Sequence, residues 1–330
     1  MRAVLCERYG PFDDLVLAEV PSPELRPGTV RLQVLAAGVN YVDNLIVGGR
    51  YQVKTPTPFV PGFEFVGRII ELADDVARDA PHLSVGARVL ALSGGGGFAE
   101  EVVVPAHIVT IVPDGITDGQ AATFVQSYMT AAFALRHRAG AERDDSLLVI
   151  GAGSGVGLAA VDVAASMRMR VIAAASTEEK RRLALDRGAE VAFDVNSESI
   201  TTDIRELMAA DGKDGVDHVY DPVGGDRAET WLRCLATGGQ YLVVGFVAGI
   251  PSLPLNHVLL RNRRVTGVDW GGWSARQPAE NAALLNELVH QISIGRLRPV
   301  EPTAYPLDRT VDALRDLAER RASGKLVVIP

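Results

Sequence analysis

The chain has 330 residues, enough for about two domains of ordinary size. Hydrophobic residues make up 47% of it and charged residues 22%, so it can bury sizeable cores and is neither disordered nor collagen-like. Its 33 basic residues against 41 acidic ones leave a net charge of −8. This charge argues against a dedicated binder of nucleic acid or anionic membranes, because such binding depends on clustered cations.

The sequence carries no pattern of export or membrane insertion. No apolar run reaches the roughly 20 residues of a membrane span, and Met1–Gly10 lacks the charged-then-apolar pattern of a signal peptide. The two cysteines, Cys6 and Cys234, form no C-x-x-C pair or disulfide framework and are too few for a zinc lobe built on four cysteines. We therefore expect a cytoplasmic protein without such a lobe.

The first third of the chain has the pattern of short β-strands. Apolar and β-branched runs alternate with turns rich in Gly and Pro, such as Pro61-Gly62 and Gly94–Gly97. Evenly spaced short strands predict a β-barrel-type module. The predicted strands are Val30–Leu35, Arg68–Leu72, Arg88–Leu92, Phe98–Val104 and Val109–Val112.

From about Thr117 the pattern changes. Asp118–Arg138 contains mostly Ala, Gln, Met, Leu and Phe, which predicts a long, largely buried helix. Between Leu147 and Gly245 apolar runs alternate with helical segments, as in βαβ units with a parallel sheet. The predicted strands are Leu147–Ile150, Arg170–Ala175, Val191–Asp194, His218–Asp221 and Gln240–Gly245, and the helices are Val156–Met167, Glu178–Arg187, Ile200–Ala210 and Asp226–Ala236.

After Arg264 the alternation loosens. The helices of this last part are too few for an independent domain, so we expect the final strand to return to the first module. The chain is thus predicted to be an α/β protein, with one domain made of residues 1–117 and 265–330 and another made of residues 118–264. The elements predicted here are a strand over Val265–Trp270, helices over Ala279–Ile294 and Arg309–Arg321, and a strand over Lys325–Ile329.

A glycine-rich turn joins the strand that ends at Ile150 to the next helix. It begins at Gly151 and meets the G-x-G-x-x-G pattern of dinucleotide sites only in part, because Val156 stands at the third glycine position. Small residues let a pyrophosphate reach the N–H groups at a helix N-terminus, and Gly157 lets the helix pack on the strand. A glycine-rich turn of another α/β fold is the alternative. The residues predicted to bind the cofactor here are Gly153, Ser154, Gly155 and Val156.

The end of the following strand selects the dinucleotide. An NAD site usually holds Asp or Glu there to bond the ribose 2′-hydroxyl, whereas this strand ends in Ala175-Ser176-Thr177. Ser176 can hydrogen-bond to a 2′-phosphate, and Lys180 can neutralise its charge. No carboxylate stands at this strand end to repel the phosphate. These residues predict NADPH rather than NADH. The alternative is that Glu178–Arg182 is only a solvated helix start, and for Arg182 we prefer that alternative.

An ordered set of segments runs through the chain: Ala36–Asp43, Val60–Gly67, Gly97–Glu100, the glycine turn, Tyr220–Gly225, and Gly238-Gly239 followed by Val243–Gly245. Together they resemble the medium-chain dehydrogenase/reductase superfamily, in particular its zinc-free quinone oxidoreductase branch, the zeta-crystallin-like group. The resemblance covers essentially the whole chain. It implies a GroES-like catalytic domain and a Rossmann cofactor-binding domain, with the active site in the cleft between them.

The resemblance also addresses metal binding. In the zinc alcohol dehydrogenases of the superfamily, a cysteine stands at the place of Asn40 and a histidine at that of Phe63. Asn and Phe cannot supply a thiolate and an imidazole to Zn²⁺, and none of the six histidines stands at a ligand spacing from another. We therefore expect no metal site, which disfavours alcohol oxidation.

Without a metal, hydride transfer requires an acceptor that is already electrophilic, such as a quinone or an α,β-unsaturated carbonyl. The resemblance implies that Asn40 donates its amide to the carbonyl or cofactor, that Asp43 orients its neighbours, and that Tyr51 stacks or hydrogen-bonds. It also implies that Thr130 approaches the nicotinamide. Structural alternatives stay open: a helix N-cap for Asn40, a helix-dipole partner for Asp43, packing for Tyr51 and an ordinary helix position for Thr130.

Two more strand ends complete the implied cofactor site. By resemblance, Val223 and Gly245-Phe246 line the adenine–ribose and nicotinamide sides of the cofactor. Many relatives have a tyrosine near position 195 that helps to hold the 2′-phosphate, whereas this chain has Val195, so NADPH over NADH is a preference. For Trp270 and Trp273 we favour core or dimer packing over a wall of the substrate site.

These inferences predict an NADPH-dependent, zinc-independent reductase of quinones or other α,β-unsaturated carbonyls. We expect a homodimer that pairs through the strand near Arg264–Trp270. Two alternatives stay open, an enoyl-thioester reductase of the same superfamily and a non-enzymatic, crystallin-like or regulatory protein that binds NADPH. No nucleic-acid or membrane partner is expected.

Overall fold

A computed structural model describes all 330 residues, which group into two structural units. The first unit is Met1–Gln126 together with Pro299–Pro330, and the second is Ser127–Arg298. None of the helices is long and apolar enough to cross a membrane.

The strands predicted in the first third of the chain are present, with bounds that differ by a few residues. In chain order this part contains β1 (Arg2–Leu5), β2 (Val16–Glu19), β3 (Thr29–Val39), α1 (Tyr41–Val47), β4 (Glu64–Leu72), α2 (Asp74–Asp79), β5 (Arg88–Leu92), β6 (Glu101–Pro105), β7 (Val109–Ile111) and α3 (Asp118–Ala121).

The predicted alternation of strands and helices is confirmed in the second unit. Its elements follow α4 (Val125–Ala132) and a π-helical segment (Phe133–Ala139), and they are β8 (Ser146–Ile150), α5 (Gly155–Ser166), β9 (Arg170–Ala175), α6 (Glu178–Asp186), β10 (Val191–Asp194), α7 (Ile200–Ala209), β11 (Val216–Asp221), α8 (Ala228–Cys234), β12 (Leu235–Val243), α9 (Asn256–Leu259), β13 (Arg264–Gly267), α10 (Trp270–Arg276) and α11 (Pro278–Ser293). The chain then returns to the first unit with β14 (Thr303–Pro306), α12 (Thr310–Ala318) and β15 (Leu326–Ile329).

Strand β3 lies inside the seven-stranded sheet of the first unit. The sheet order is β14-β15-β3-β4-β5-β7, and β6 also pairs with β3. The last strand, β15, runs antiparallel to β3, which confirms the predicted return of the chain end. One apolar core contains Phe65 and Phe98 from the first part of the chain and Leu314 and Val328 from the last part. Both parts are therefore stabilised by the same buried surface.

The second unit contains one parallel sheet of six strands in the order β10-β9-β8-β11-β12-β13. This is the strand order of a Rossmann fold, in which ligands bind outside the carboxyl ends of the strands where the order reverses. The reversal lies between β8 and β11. Helix α5 is almost entirely apolar and buried, as expected for a helix packed on such a sheet.

The structure divides the chain at other places than the sequence predicts. Residues 265–298 belong to the second unit, because β13 pairs in parallel with β12 as the sixth strand of its sheet. The first boundary lies after Gln126 instead of residue 117. The predicted helix Asp118–Arg138 is broken into α3, α4 and the π-helical segment. Near the first break the Thr123 hydroxyl donates to the Gly119 carbonyl at 2.9 Å, a bond of the kind that often bends helices.

Candidate active site

The glycine turn makes the close approach that its sequence predicts. Gly151 has a φ of 64°, and Ser154 caps α5 by accepting the Gly157 N–H at its hydroxyl, at 3.2 Å. A Cβ on Gly157 would lie 2.2 Å from the Gly151 carbonyl oxygen, so only glycine lets the helix start here. Ser154 thus caps the N–H of Gly157, and the N–H groups of Gly155 and Val156 before it can face an anion.

The start of α6 packs directly on this turn. A Cβ on Gly153 would lie 2.4 Å from the Lys180 Cβ, and the Thr177 hydroxyl accepts the Lys180 N–H at 3.2 Å. Ser176 is exposed at the end of β9, and Ala175 is buried before it. The structure therefore brings two of the predicted phosphate-binding residues, Gly153 and Lys180, into one place.

Sequence reasoning missed Arg181 at the same strand end. Its guanidinium donates to the Ala175 carbonyl at 3.3 Å and lies 3.3 Å from the carboxylate of Asp194, the last residue of β10. By contrast, Arg182 pairs with Glu178 on the exposed start of α6, which agrees with the solvated interpretation of that residue. The sequence Glu178-Glu179-Lys180-Arg181-Arg182 contains no signal that would separate the two arginines.

The loops after β11 and β12 lie next to the glycine turn. A Cβ on Gly151 would lie 2.9 Å from a methyl of Val223, and one on Gly224 would lie 3.3 Å from the Phe246 ring. Asp221 holds the first loop, because its carboxylate accepts the N–H groups of Val223 at 2.8 Å and Gly224 at 3.0 Å. The carboxyl ends of β8, β11 and β12 thus form one continuous small-residue surface.

A second polar group lies in the first unit around Asn40, which is only 6% exposed. Asn40 is the N-cap residue of α1, with an extended backbone, and forms a capping box with Asp43, as the N-cap alternative predicts. Its Nδ2 donates to Glu64 Oε2 at 2.9 Å, and its Oδ1 accepts from Lys325 Nζ at 2.8 Å. The other Glu64 oxygen accepts the Gln126 N–H at 3.0 Å. The amide of Asn40 is therefore held between an anion and a cation.

Asp43 is completely buried in the first turn of α1. Its Oδ2 accepts the Asn40 backbone N–H at 2.7 Å, whereas Oδ1 has no hydrogen-bond partner. Burial raises the pKa of Asp43 to about 7, and the bond from Asn40 opposes that shift. Burial also raises the pKa of Glu64 and lowers that of Lys325, and each shift is opposed by the charge of the other residue.

Glu64 and Lys325 were not among the residues proposed from the sequence. A signal existed in both cases, because each is a single charged residue beside an apolar strand, in Phe63-Glu64-Phe65 and in Lys325-Leu326-Val327. A charge at such a position must find a partner to be buried.

The remaining predicted residues are placed as follows. Tyr51 is half-buried in the loop after α1, where its backbone N–H donates to the Leu45 carbonyl at 3.1 Å, and Thr130 is half-buried in α4. Trp270 begins α10, so the strand predicted up to this residue ends earlier. Trp273 stacks on Phe133 at 4.8 Å between ring centroids, which fits packing inside the second unit.

The donor set around Asn40 does not fit a zinc ion. It consists of an amide, two carboxylates and an ammonium group, without the thiolate or imidazole that Zn²⁺ prefers. The structure contains no group of three or more His, Cys, Asp or Glu side chains placed to hold a metal ion. Lys325 supplies the positive charge that balances Glu64, so a second cation here would be repelled.

Comparisons with known proteins agree with both units. A family model described as alcohol dehydrogenase GroES-like domain matches residues 26–114, and one described as zinc-binding dehydrogenase matches residues 155–287. The chain is 34% identical over 329 residues to quinone oxidoreductase-like protein 2 of Bos taurus, covering 99% of this chain and 92% of that protein. The chain belongs to the quinone oxidoreductase family of medium-chain dehydrogenases/reductases. It is thus a member of a reductase family.

Two further similarities concern cofactor and context. The quinone oxidoreductase of Thermus thermophilus, whose structures include a complex with NADPH, is 35% identical and matches over 100% of both chains with a TM-score of 0.84. A mycocerosic acid synthase-like polyketide synthase of Mycobacterium tuberculosis is 31% identical over 307 residues, which are 92% of this chain but only 14% of that protein. The family therefore includes reductases and segments of much longer synthases.

The buried Asp43 predicts a pH dependence of stability. Its folded-state pKa of about 7 exceeds the ordinary value of 3.8, so between these values the folded protein retains a proton that the unfolded chain has lost. The free energy of unfolding should therefore fall as pH rises through this window, by up to about 1.4 kcal/mol per pH unit. The Asp43→Asn side chain cannot ionise, so the variant should lack this pH-dependent loss of stability. The difference in free energy of unfolding, variant minus parent, should therefore rise toward pH 7 and then level off.

Urea unfolding at several pH values measures this difference. The exposed Asp226→Asn is the control for loss of one acidic residue. Parallel pH profiles for the parent and Asp43→Asn would contradict the assignment of a raised pKa to Asp43.

Proposed function

We propose that this protein is an NADPH-dependent, zinc-independent reductase that transfers a hydride to a quinone or another α,β-unsaturated carbonyl. The observation that carries the proposal is the small-residue surface at the carboxyl ends of β8, β11 and β12, with Lys180 of α6 packed against Gly153 of the glycine turn. An NADPH complex is known for the Thermus thermophilus relative. That likeness supports the same cofactor here.

The residues of the second unit fit a phosphorylated dinucleotide. The backbone N–H groups of Gly153, Gly155 and Val156 would hold the pyrophosphate, which the N-terminus of α5 stabilises. The Ser154 N–H donates to the Gly151 carbonyl at 2.9 Å, so Ser154 would contact the pyrophosphate through its hydroxyl. Ser176, which follows β9, and Lys180 and Arg181 in α6 would hold the 2′-phosphate, and β9 itself ends without a carboxylate. The lining residues proposed beside these are Thr130, Val223, Gly245 and Phe246.

When bound, NADPH supplies the hydride. Without a metal, the acceptor must delocalise the incoming charge into its own conjugated system, and the protein contributes orientation and hydrogen bonds to the developing oxyanion. We assign the donated bond to Asn40, whose amide has a second N–H besides the one that Glu64 accepts. Asp43 holds the Asn40 backbone, and Tyr51 is proposed to contact the acceptor.

The enoyl-thioester alternative is supported by one observation, the match of 92% of this chain to a segment of a polyketide synthase. A conjugated thioester is activated by its own π-system in the same way as a quinone. The same residues would serve both acceptors.

We also propose a homodimer that pairs through β13. This strand has a neighbour on one side only, β12, and Val265 on it is partly exposed. The adjoining helix α9 region exposes Leu255, Leu259 and Leu260 by about three quarters each. An unpaired edge beside exposed apolar side chains favours pairing with another copy.

A cytoplasmic location is proposed from the thiols. Cys6 and Cys234 are both free and buried, and burial raises the pKa of Cys234 to about 11, which keeps this thiol protonated and unreactive. Unpaired thiols of this kind are suited to a compartment in which disulfides rarely form.

The first prediction from this function is oxidation of NADPH in the presence of conjugated acceptors. Absorbance of the reduced cofactor should fall with a quinone panel and with 2-enoyl thioesters, and should not fall with saturated ketones, which lack conjugation. Faster turnover with enoyl thioesters than with any quinone would select the second candidate. Binding of NADPH without its oxidation by any conjugated acceptor would contradict both.

The second prediction concerns cofactor choice. Lys180→Ala should raise the KM for NADPH roughly 5- to 30-fold, because one charge-assisted contact to the 2′-phosphate is lost. That factor corresponds to about 1–2 kcal/mol of binding free energy. The KM for NADH should change little. Arg182→Ala, which removes a neighbouring exposed cation paired with Glu178, is the matched control. Equal effects on both cofactors would remove Lys180 from the phosphate site.

The third prediction concerns assembly. Sedimentation equilibrium should give the mass of two chains for the parent and of one chain for Leu259→Lys/Leu260→Lys, because two charges would then enter the apolar contact. Val85→Lys, an exposed apolar position in the first unit, is the control. A dimer that persists in the double variant would place the interface elsewhere.

A further inference from the structure

Building on the proposed function, we infer that Glu64 and Lys325 are positioning residues that fix the Asn40 amide in a single orientation for the reaction. The inference starts from the pairing register. On one side of β3, Leu326 is opposite Val39, so Lys325 comes to lie opposite Asn40. On the other side of β3, Glu64 is opposite Gly38. Gly38 is two residues before Asn40, so the two positions lie on the same face. The two neighbouring strands thus deliver opposite charges to one amide.

The chemistry of the two neighbours permits only one amide orientation. An ammonium group can only donate hydrogen bonds, and a carboxylate can only accept them. Oδ1 must therefore face Lys325, and Nδ2 must face Glu64. The structure shows this orientation, with 2.8 Å from Lys325 Nζ to Oδ1 and 2.9 Å from Nδ2 to Glu64 Oε2. Rotating the amide by half a turn would place its N–H groups against the ammonium and its oxygen against the carboxylate. Both bonds would be lost where burial makes electrostatic interactions strong.

The surroundings leave this arrangement little freedom. The second oxygen of Glu64 accepts the Gln126 N–H, and the Asn40 backbone N–H is held by Asp43. A Cβ on Gly38 would lie 2.3 Å from the Ala122 carbonyl oxygen and 3.3 Å from Glu64 Oε2, so the space beside the carboxylate is filled. The second N–H of Asn40 consequently has a fixed direction.

Stability alone does not require such a group. Replacing a buried ion pair by apolar side chains of similar volume is often neutral or stabilising, whereas removing one partner is costly. A buried cation and anion joined through a single amide therefore suit a role in orienting that amide. A preoriented donor accelerates a reaction because the protein does not have to reorganise when charge develops on the acceptor.

Two variants separate this role from a structural one. Lys325→Met leaves the Glu64 carboxylate buried without its cation, so it should lower both the melting temperature and kcat. Glu64→Gln/Lys325→Met removes both charges that contact the Asn40 amide and should recover most of the melting temperature. Because the neutral amide introduced at position 64 can both donate and accept, the Asn40 amide is no longer fixed, and kcat for acceptor reduction should stay about 10- to 100-fold below that of the parent. The Kd for NADPH, measured by fluorescence titration, should change by less than about 2-fold if the second unit alone binds the phosphates.

Lys213→Met is the matched control, because it removes a partly buried lysine that pairs with Asp217 at 2.7 Å in the second unit, and it should leave kcat unchanged. If the double variant does not fold, Glu64→Gln/Lys325→Gln takes its place under the same criterion, since neutral amides at both positions keep hydrogen-bond partners and likewise leave the Asn40 amide unfixed. Recovery of kcat together with stability in the neutral variant would overturn the inference. A parent enzyme that binds NADPH but reduces no acceptor would instead overturn the proposed function.

Discussion

The pairing of β3 on both of its edges is the constraint on which the polar centre of the first unit depends. Because β4 and β15 flank this strand, the residue that follows it, Asn40, is met by Glu64 from one side and by Lys325 from the other. Neither charge would be tolerated alone in such a buried place. Together they neutralise each other through the amide that joins them. Lys325 thus places a cation from the chain itself beside residue 40.

Under the proposed function, the second unit meets a different requirement, the binding of a large dinucleotide anion. It does so with backbone groups, because Gly151, Gly153 and Gly157 allow a helix, a loop and a strand end to approach within distances that a side chain would block. Asp221 contributes by holding the next loop against the turn. The N–H groups and the dipole of α5 then provide the positive potential. The surrounding chain can remain acidic overall, since the favourable field is local.

The sequence predicted those features that depend on local patterns. The alternation of apolar strands with helical segments identified the parallel sheet that contains β8 to β12. The return of β15 to the first unit was inferred because the last part of the chain has too few helices for a domain of its own. A strand was predicted at Val265, but residues 265–298 were assigned to the first domain because the pattern of a short edge strand does not show which sheet it joins. The break near Thr123 was missed because a buried, alanine-rich run is typical of a continuous helix.

The sequence predicted the cofactor-binding part of the site but not the partners of Asn40. Small residues at the ends of β8, β11 and β12 are visible in the sequence, and the structure brings them together. Glu64 and Lys325 were not found because they lie at opposite ends of the chain, and only the register of β3 with its two neighbours makes them partners of Asn40. The roles of Tyr51 and Thr130 rest on the family resemblance, since neither lies in a pattern that by itself indicates chemistry.

The central claim is that the acceptor is activated by its own conjugation and by protein hydrogen bonds, with no metal taking part. Elemental analysis of the purified protein, combined with quinone reduction before and after dialysis against a strong chelator, tests this claim most directly. The account predicts no stoichiometric zinc and an unchanged kcat. One tightly bound metal ion per chain, whose removal abolishes turnover and whose return restores it, would contradict it.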